Sequence, residues 1–377
     1  MTLSDKTIFL TAKDPEYDSG GDVTMTNLIM ALARESRTVS CISLSTHRAM
    51  TERMTRVVKP PISGSRIALA SLRRNHSLVH TRFDVQALVS AIEQSSATTY
   101  VAEHSYMAES FLRSRNRDSA KLVVNTHVSE SAVWGQTRGF LGRVERPRIA
   151  RDEYRVARAA AAVGTFDRSE TRRYRDAGVD TARWLDLTLP PAEPKDCAAT
   201  PPRLVFLGDQ TWPPNAEGAS RLLKLWPAIS SGIPNAELFI VGKRVPAGHP
   251  RSSATNVTIT GYVDDLPALL ETCRAMIAPI RTGGGVRVKL LESASRGLPF
   301  IGTPEALGDH GDLLDLKPAR TDQDLVSQAR ELLMSPQEAA RQSASLYALN
   351  SQRWMDGIPH DAVTRWLDAT ETVRSEE

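Results

Sequence analysis

Thirteen residues constrain this 377-residue chain more than any others. Pro190-Pro-Ala-Glu-Pro-Lys-Asp-Cys-Ala-Ala-Thr-Pro-Pro202 holds five prolines, each fixing φ and removing a hydrogen-bond donor, so neither a helix nor a central strand fits there. On either side the pattern alternates short apolar runs with amphipathic stretches. Ile8-Phe9-Leu10 is followed by a polar loop from Lys13 to Asp22, then by Met25, Leu28, Ile29 and Leu32 at i, i+3, i+4, i+7, then by the run Val39 to Leu44. A right-handed crossover makes the strands of such a β-loop-α-β unit parallel. Thr99 to Ala102 and Leu122 to Asn125 extend the series, and an Arg/Ala-rich helical stretch runs to about Ala162.

The series restarts directly after the prolines. Strands are predicted at Leu204–Leu207, Leu238–Val241, Val257–Thr260, Met276–Ala278 and Phe300–Ile301. Helices carry Ala219, Leu222, Leu223 and Trp226, then Leu266, Leu269, Leu270 and Cys273, and another starts near Val286. The expected fold class is α/β, with two Rossmann-like doubly wound domains facing a central cleft and ligands at the C-terminal ends of their strands. The expected boundaries are 1–189 for the first domain, 190–202 for a linker and 203–350 for the second domain.

No apolar run approaches the length of a transmembrane helix, and Ile8-Phe9-Leu10 is too short for the core of a signal peptide. Cys41, Cys197 and Cys273 are odd in number and widely spaced, which predicts neither a disulfide framework nor a zinc site and favours the cytoplasm. Residues 1–190 carry 28 Lys and Arg against 21 Asp and Glu, while residues 191–377 carry 19 against 23. Much of the basic excess lies between Arg138 and Arg175, where 11 Arg meet 5 acids. Such a stretch suits peripheral contact with an anionic membrane face or an acidic substrate, and equally a solvated helix face. The net charge of only +3 argues against nucleic acid as a partner.

The sharpest local signal is Arg281-Thr-Gly-Gly-Gly-Val-Arg-Val-Lys-Leu-Leu-Glu292, between a strand end and a helix start. Glycines let the backbone approach a ligand, and first-turn N–H groups with the helix dipole favour phosphate. At about 100° per residue Gly285, Lys289 and Glu292 fall on one face. That face offers an ammonium to a phosphate and an acceptor-only carboxylate to a pair of hydroxyls. Neither G-x-G-x-x-G nor G-x-x-x-x-G-K-[ST] occurs after a predicted strand. Asp264-Asp265 reads as a helix cap rather than a metal pair, and no metal is predicted.

From FLGDQTWPPNAEGASRLLKLWPAI through PNAELFIVG to VTITGYVDDLPALLETCRAMIAPIRTGGGVRVKLLESASRGLPFIGTP, the second half resembles the donor domain of family 4 glycosyltransferases, which have the GT-B fold. The resemblance implies retaining transfer of a sugar from a nucleotide diphosphate sugar, without a required metal or other cofactor, to an acceptor it does not name. It places Glu292 at the second Glu of a Glu-x7-Glu pattern that holds the nucleotide ribose. Gly284 stands where the first Glu would be, so backbone N–H groups of Gly283, Gly284 and Gly285 would take over. The loop Asp209 to Asn215 lacks the basic pair many members carry, which turns the diphosphate over to Arg287 and Lys289, ahead of Arg281 or Lys243-Arg244.

In the first half Ser19-Gly20-Gly21 matches a loop that brings backbone N–H groups toward the diphosphate or acceptor, although a plain turn explains it as well. Asn125-Thr126-His127 resembles the family's strand-exit Thr-x-His, making His127 the candidate catalytic residue, with His104 and Glu130 as acceptor-side candidates. By the same resemblance 351–377, with Trp354, Ile358, Val363, Trp366 and Leu367, is expected to return as a helix to the first domain. Two alternative readings stand beside transfer: a nucleotide-sugar 2-epimerase, and a non-catalytic sugar-nucleotide-binding relative.

Overall fold

The computed structural model describes residues 5–243, 256–282 and 284–369; Arg244 and Gly283 lie outside them. It divides into two compact units, residues 1–187 with 358–377, and residues 188–357. In the first, strands β1 (Lys6–Thr11), β2 (Thr38–Ser45), β3 (Met54–Val58), β4 (Thr99–Glu103), β5 (Lys121–Asn125), β6 (Ala162–Thr165) and β7 (Ala182–Trp184) form a parallel sheet in the order β3-β2-β1-β4-β5-β6-β7. Its helices are α1 (Gly21–Arg34), α2 (Gly64–Arg74), α3 (Leu78–Phe83), α4 (Gln86–Gln94), α5 (Ala108–Arg113), α6 (Glu130–Thr137), α7 (Gly139–Ala159), α8 (Arg168–Asp176) and, from the chain's end, α16 (Ile358–Asp368).

The second unit places β8 (Arg203–Leu207), β9 (Glu237–Val241), β10 (Val257–Thr260), β11 (Ala275–Ala278) and β12 (Phe300–Gly302) in the parallel order β10-β9-β8-β11-β12. Around them lie α9 (Pro213–Ser230), α10 (Leu266–Glu271), α11 (Val288–Arg296), α12 (Pro304–Leu307), α13 (His310–Leu313), α14 (Asp322–Met334) and α15 (Pro336–Met355). Continuous apolar runs become central strands because helices cover both faces. All of β4 and β11 is buried, whereas the edge strand β10 is half exposed.

Several boundaries differ from the sequence reading. Ala162 starts β6 rather than ending a helix, because Val123 and Val124 pair with Ala162 and Val163. Helix α11 starts at Val288, two residues late. The Pro-rich segment is no free linker but lies on the second unit: Ala192 N–H donates to Ser295 O (2.7 Å), Lys195 N–H to Arg296 O (3.2 Å), and Cys197 is buried. Asn350 Nδ2 and Tyr347 Oη reach Leu189 O and Ala192 O from α15. The second unit therefore begins at Thr188 and runs past 350 to Gly357, and the return to the first unit starts at Ile358.

Candidate active site

A parallel sheet opens a crevice where successive strands leave in opposite directions from a common one, because the two following helices go to opposite faces. In the first unit that point lies between β1 and β4, which pair through Ile8 and Tyr100. Gly20 precedes α1 with φ +129°, and a Cβ there would come within 2.9 Å of Asp22 Oδ1. Asp22, in the first turn with Gly21, pairs with Lys13 at 2.7 Å.

Across the split, Glu103 ends β4 almost fully buried. Its Oε2 accepts from Thr26 Oγ1 (2.9 Å), Asn125 Nδ2 (3.0 Å) and the His127 ring Nε2. A carboxylate only accepts, so Nε2 carries the hydrogen and Nδ1, which has no partner among the described residues, is left for a ligand. His104 and His127 leave β4 and β5 with φ +75° and +52°. That conformation costs non-glycine residues about 1–3 kcal/mol and persists where surroundings enforce it. Here they stack the two rings 4.7 Å apart, with Tyr106 4.9 Å beyond His104. Glu130 Oε1 stands 3.4 Å from His104 Nδ1, and the Glu130 N–H is held by Glu153 (2.7 Å), whose carboxyl burial pushes up to about 7. Lys13, Asp22, Thr26, Glu103, His104 and His127 share the lining of a cavity of about 110 Å³.

Glu103 escaped the sequence reading. The available signal was an acid closing the buried run Tyr100-Val101-Ala102, which is costly unless its oxygens find donors. Glu103→Gln should loosen the His127 ring, and if that ring faces the reacting group it should lower turnover roughly tenfold or more. Kinetics of the single and double variants with His127→Ala should be non-additive; fully additive losses would separate the two residues.

In the second unit the split falls between β8 and β11, paired through Leu204 and Ala275. Gly208 leaves β8 so close to β9 that a Cβ on Gly242 would sit 1.8 Å from Gly208 O. Asp209 folds the loop by accepting from Thr211 N and Oγ1 (2.8 and 2.7 Å). Asn215, in the first turn of α9, donates to Asp209 O (3.0 Å) and accepts from Lys289 Nζ (3.0 Å). Lys289 lies in the first turn of α11, half-buried, and among the described residues no carboxylate pairs with it. Burial, then repulsion from Arg287, pushes its ammonium down to about 8.

The remaining candidates are more engaged than their spacing implied. Arg287 donates to Gly285 O and lies against Gly308, where a Cβ would meet Nε at 2.8 Å. Glu292 is bound by Arg296 one turn on. Gly284 is exposed, and Gly285 is buried with φ +72°. Arg281 is exposed, 3.9 Å from Asp322, while Lys243 lies 5.4 Å from the Tyr262 ring centre. Asp265 caps α10 through Ala268 N–H (2.9 Å).

Two parallel Rossmann-like domains, each with polar groups gathered at its strand split, define the GT-B class of two-domain transferase folds. Residues 201–335, within the second unit, match the family model of Glycosyl transferases group 1. Solved structures with the same fold include HepE from Anabaena in complex with UDP (15% identity, TM-score 0.65, covering 97% of this chain and 100% of that one). Sucrose-phosphate synthase from Thermosynechococcus elongatus is similar as well (16%, 0.66, 96% and 95%). So is WaaG, a glycosyltransferase involved in lipopolysaccharide biosynthesis (15%, 0.67, 95% and 98%). Among curated proteins none matches by sequence.

Proposed function

We propose that this protein is a retaining, metal-independent family 4 glycosyltransferase that moves a sugar from a nucleoside diphosphate sugar to an acceptor in the cytoplasm. The observation that carries the reading is Lys289: a half-buried ammonium with no carboxylate partner among the described residues, in the first turn of the helix after the glycine loop, at the split of a group 1 glycosyltransferase domain. Such a cation is arranged for an anion that arrives with the substrate. Diphosphate oxygens would replace Asn215 Oδ1 on Nζ and take backbone N–H groups from the loop that includes Gly284 and Gly285. Leaving-group charge is then met by fixed donors, which is where rate enhancement arises in a transfer that needs positioning more than covalent help. His127, held by Glu103, is assigned to the reacting sugar, and His104 and Glu130 to the acceptor. The complex of HepE with UDP makes a uridine diphosphate sugar the first donor to try.

Incubating the protein with several nucleotide sugars and following nucleoside diphosphate release, with and without acceptor extracts, tests the reading. Acceptor-dependent release supports transfer, whereas conversion of the sugar nucleotide with no second substrate, or no turnover at all, overturns it. Glu292→Ala should weaken UDP binding by about 1–3 kcal/mol if its carboxylate exchanges Arg296 for the ribose hydroxyls. Calorimetric titration with unchanged affinity would remove Glu292 from the site.

A further inference from the structure

Helix α2 buries only Ser71, and it turns Leu69 and Leu72, 50% and 75% exposed, outward. At the start of α7, Phe140, Leu141 and Val144 are 81%, 48% and 49% exposed. Phe140 and Leu141 each fall on the same face as Val144, at i, i+4 and i, i+3. Gly142 makes that display compatible with packing, since a Cβ there would lie 1.9 Å from Trp134 O of α6. One side chain links the two helices: a turn beyond Val144, Arg148 donates to Ser71 Oγ on the buried side of α2 (2.8 Å) and to His76 O just after it (2.6 Å).

Arginine accompanies both stripes. Arg66, Arg73 and Arg74 lie on α2, and Arg138, Arg143 and Arg146 flank the apolar residues of α7; all six are exposed, with Arg74 paired to Asp84. Neither 64–74 nor 138–144 contains an acid, and Glu145 turns inward to accept the Leu78 N–H (2.6 Å). Four arginines further along the Arg-rich region serve the fold. Arg155 pairs with Glu109, Arg151 holds Asn75, and Arg158 and Arg175 bond the carbonyls of Ala177 (3.0 Å) and Ala182 (2.9 Å).

We propose that the outward faces of α2 and of the first turns of α7 dock the first domain onto an anionic lipid bilayer. Leucine and phenylalanine side chains with arginines beside them fit an interface in which the apolar groups enter the acyl boundary and the guanidinium groups stay at headgroup phosphates. The absence of acids from both segments matches a uniformly negative surface. Within the 138–175 region the proposed surface takes only residues 138–146, and it adds α2 (Gly64–Arg74). The proposal goes beyond glycosyl transfer and does not rest on it.

Cosedimentation of the full chain with vesicles of phosphatidylcholine alone, or with phosphatidylglycerol added, tests it. Binding is expected to the mixed vesicles only, to weaken at high salt, and to weaken roughly fivefold on neutralising either Arg66 or Arg73. Leu72→Glu and the pair Phe140→Asp with Leu141→Glu change exposed positions, so melting temperature should hold while vesicle binding falls at least about tenfold. No binding to anionic vesicles, or binding unaltered in those variants, overturns the proposal. So does self-association without lipid that the same variants abolish, which would give the face to a second copy of the chain.

Discussion

Replacing Lys289 with methionine should weaken nucleoside diphosphate binding by about 1.5–3 kcal/mol, roughly ten- to a hundredfold, with little loss of melting temperature. The ammonium has a neutral partner in Asn215 and, among the described residues, no acid, so its charge awaits an anion. Its pH behaviour separates this role from a structural one. Free, Lys289 titrates near 8, against 10.5 in the unfolded chain. Between those values the unfolded chain holds more protons, so the second domain's stability rises with pH across that window, and the cost of the buried charge is fully present below about 8. A bound diphosphate favours the protonated form and raises the group again. Affinity should therefore be flat from pH 7 to about 8 and then fall, by at most about tenfold per pH unit, with proton uptake on binding. Titration of UDP in buffers of different ionisation heat measures both. Lys289→Met should abolish the fall and the uptake together. If affinity and pH profile match the parent protein, the phosphate role passes to Arg287 and the loop N–H groups.

Ending the chain after Gly357 should unfold the first domain while leaving the second protected. Helix α16 belongs to the first domain, against α1 and β6, with Val363, Trp366 and Leu367 essentially inaccessible. Polar contacts fix its position: Arg37 pairs with Asp368, Arg183 donates to Arg365 O (2.8 Å), and His360 lies 3.4 Å from Glu35. Gly164 of β6 makes room for the indole, since a Cβ there would meet Trp366 Nε1 at 3.0 Å. Three large side chains at about 1.5–3 kcal/mol each amount to most of what holds a domain folded. Trp366→Ala alone should cost about 3–5 kcal/mol. Hydrogen exchange on the truncated chain should show lost protection across residues 5–187 and retained protection across 188–357. Unchanged exchange in the first segment would show that α16 is dispensable there.

Local pattern was enough for the class of this fold and for its central strands, but not for β3, β6 and β7. Runs such as Ile8-Phe9-Leu10 and Met276-Ile277-Ala278 are apolar at every position because parallel strands are covered on both faces, and that is written in consecutive residues. Helical spacing put Gly285, Lys289 and Glu292 on one face, but α11 starts only at Val288, so Gly285, with φ +72°, lies outside the helix and that shared face does not extend to it. What needed the tertiary structure was every partnership across elements. Glu103 draws donors from residues 77, 22 and 24 positions away, and Lys289 finds Asn215 74 positions away. Arg287 turns to Gly308 and Glu292 to Arg296, although spacing had offered both to a ligand. The exposed stripe of α2 resembles any amphipathic helix until the packing shows that its apolar face is the one left outside. Periodicity fixes which residues share a face. Which faces and strand exits become neighbours is set by strand order, and that order is decided by contacts between residues far apart in the chain.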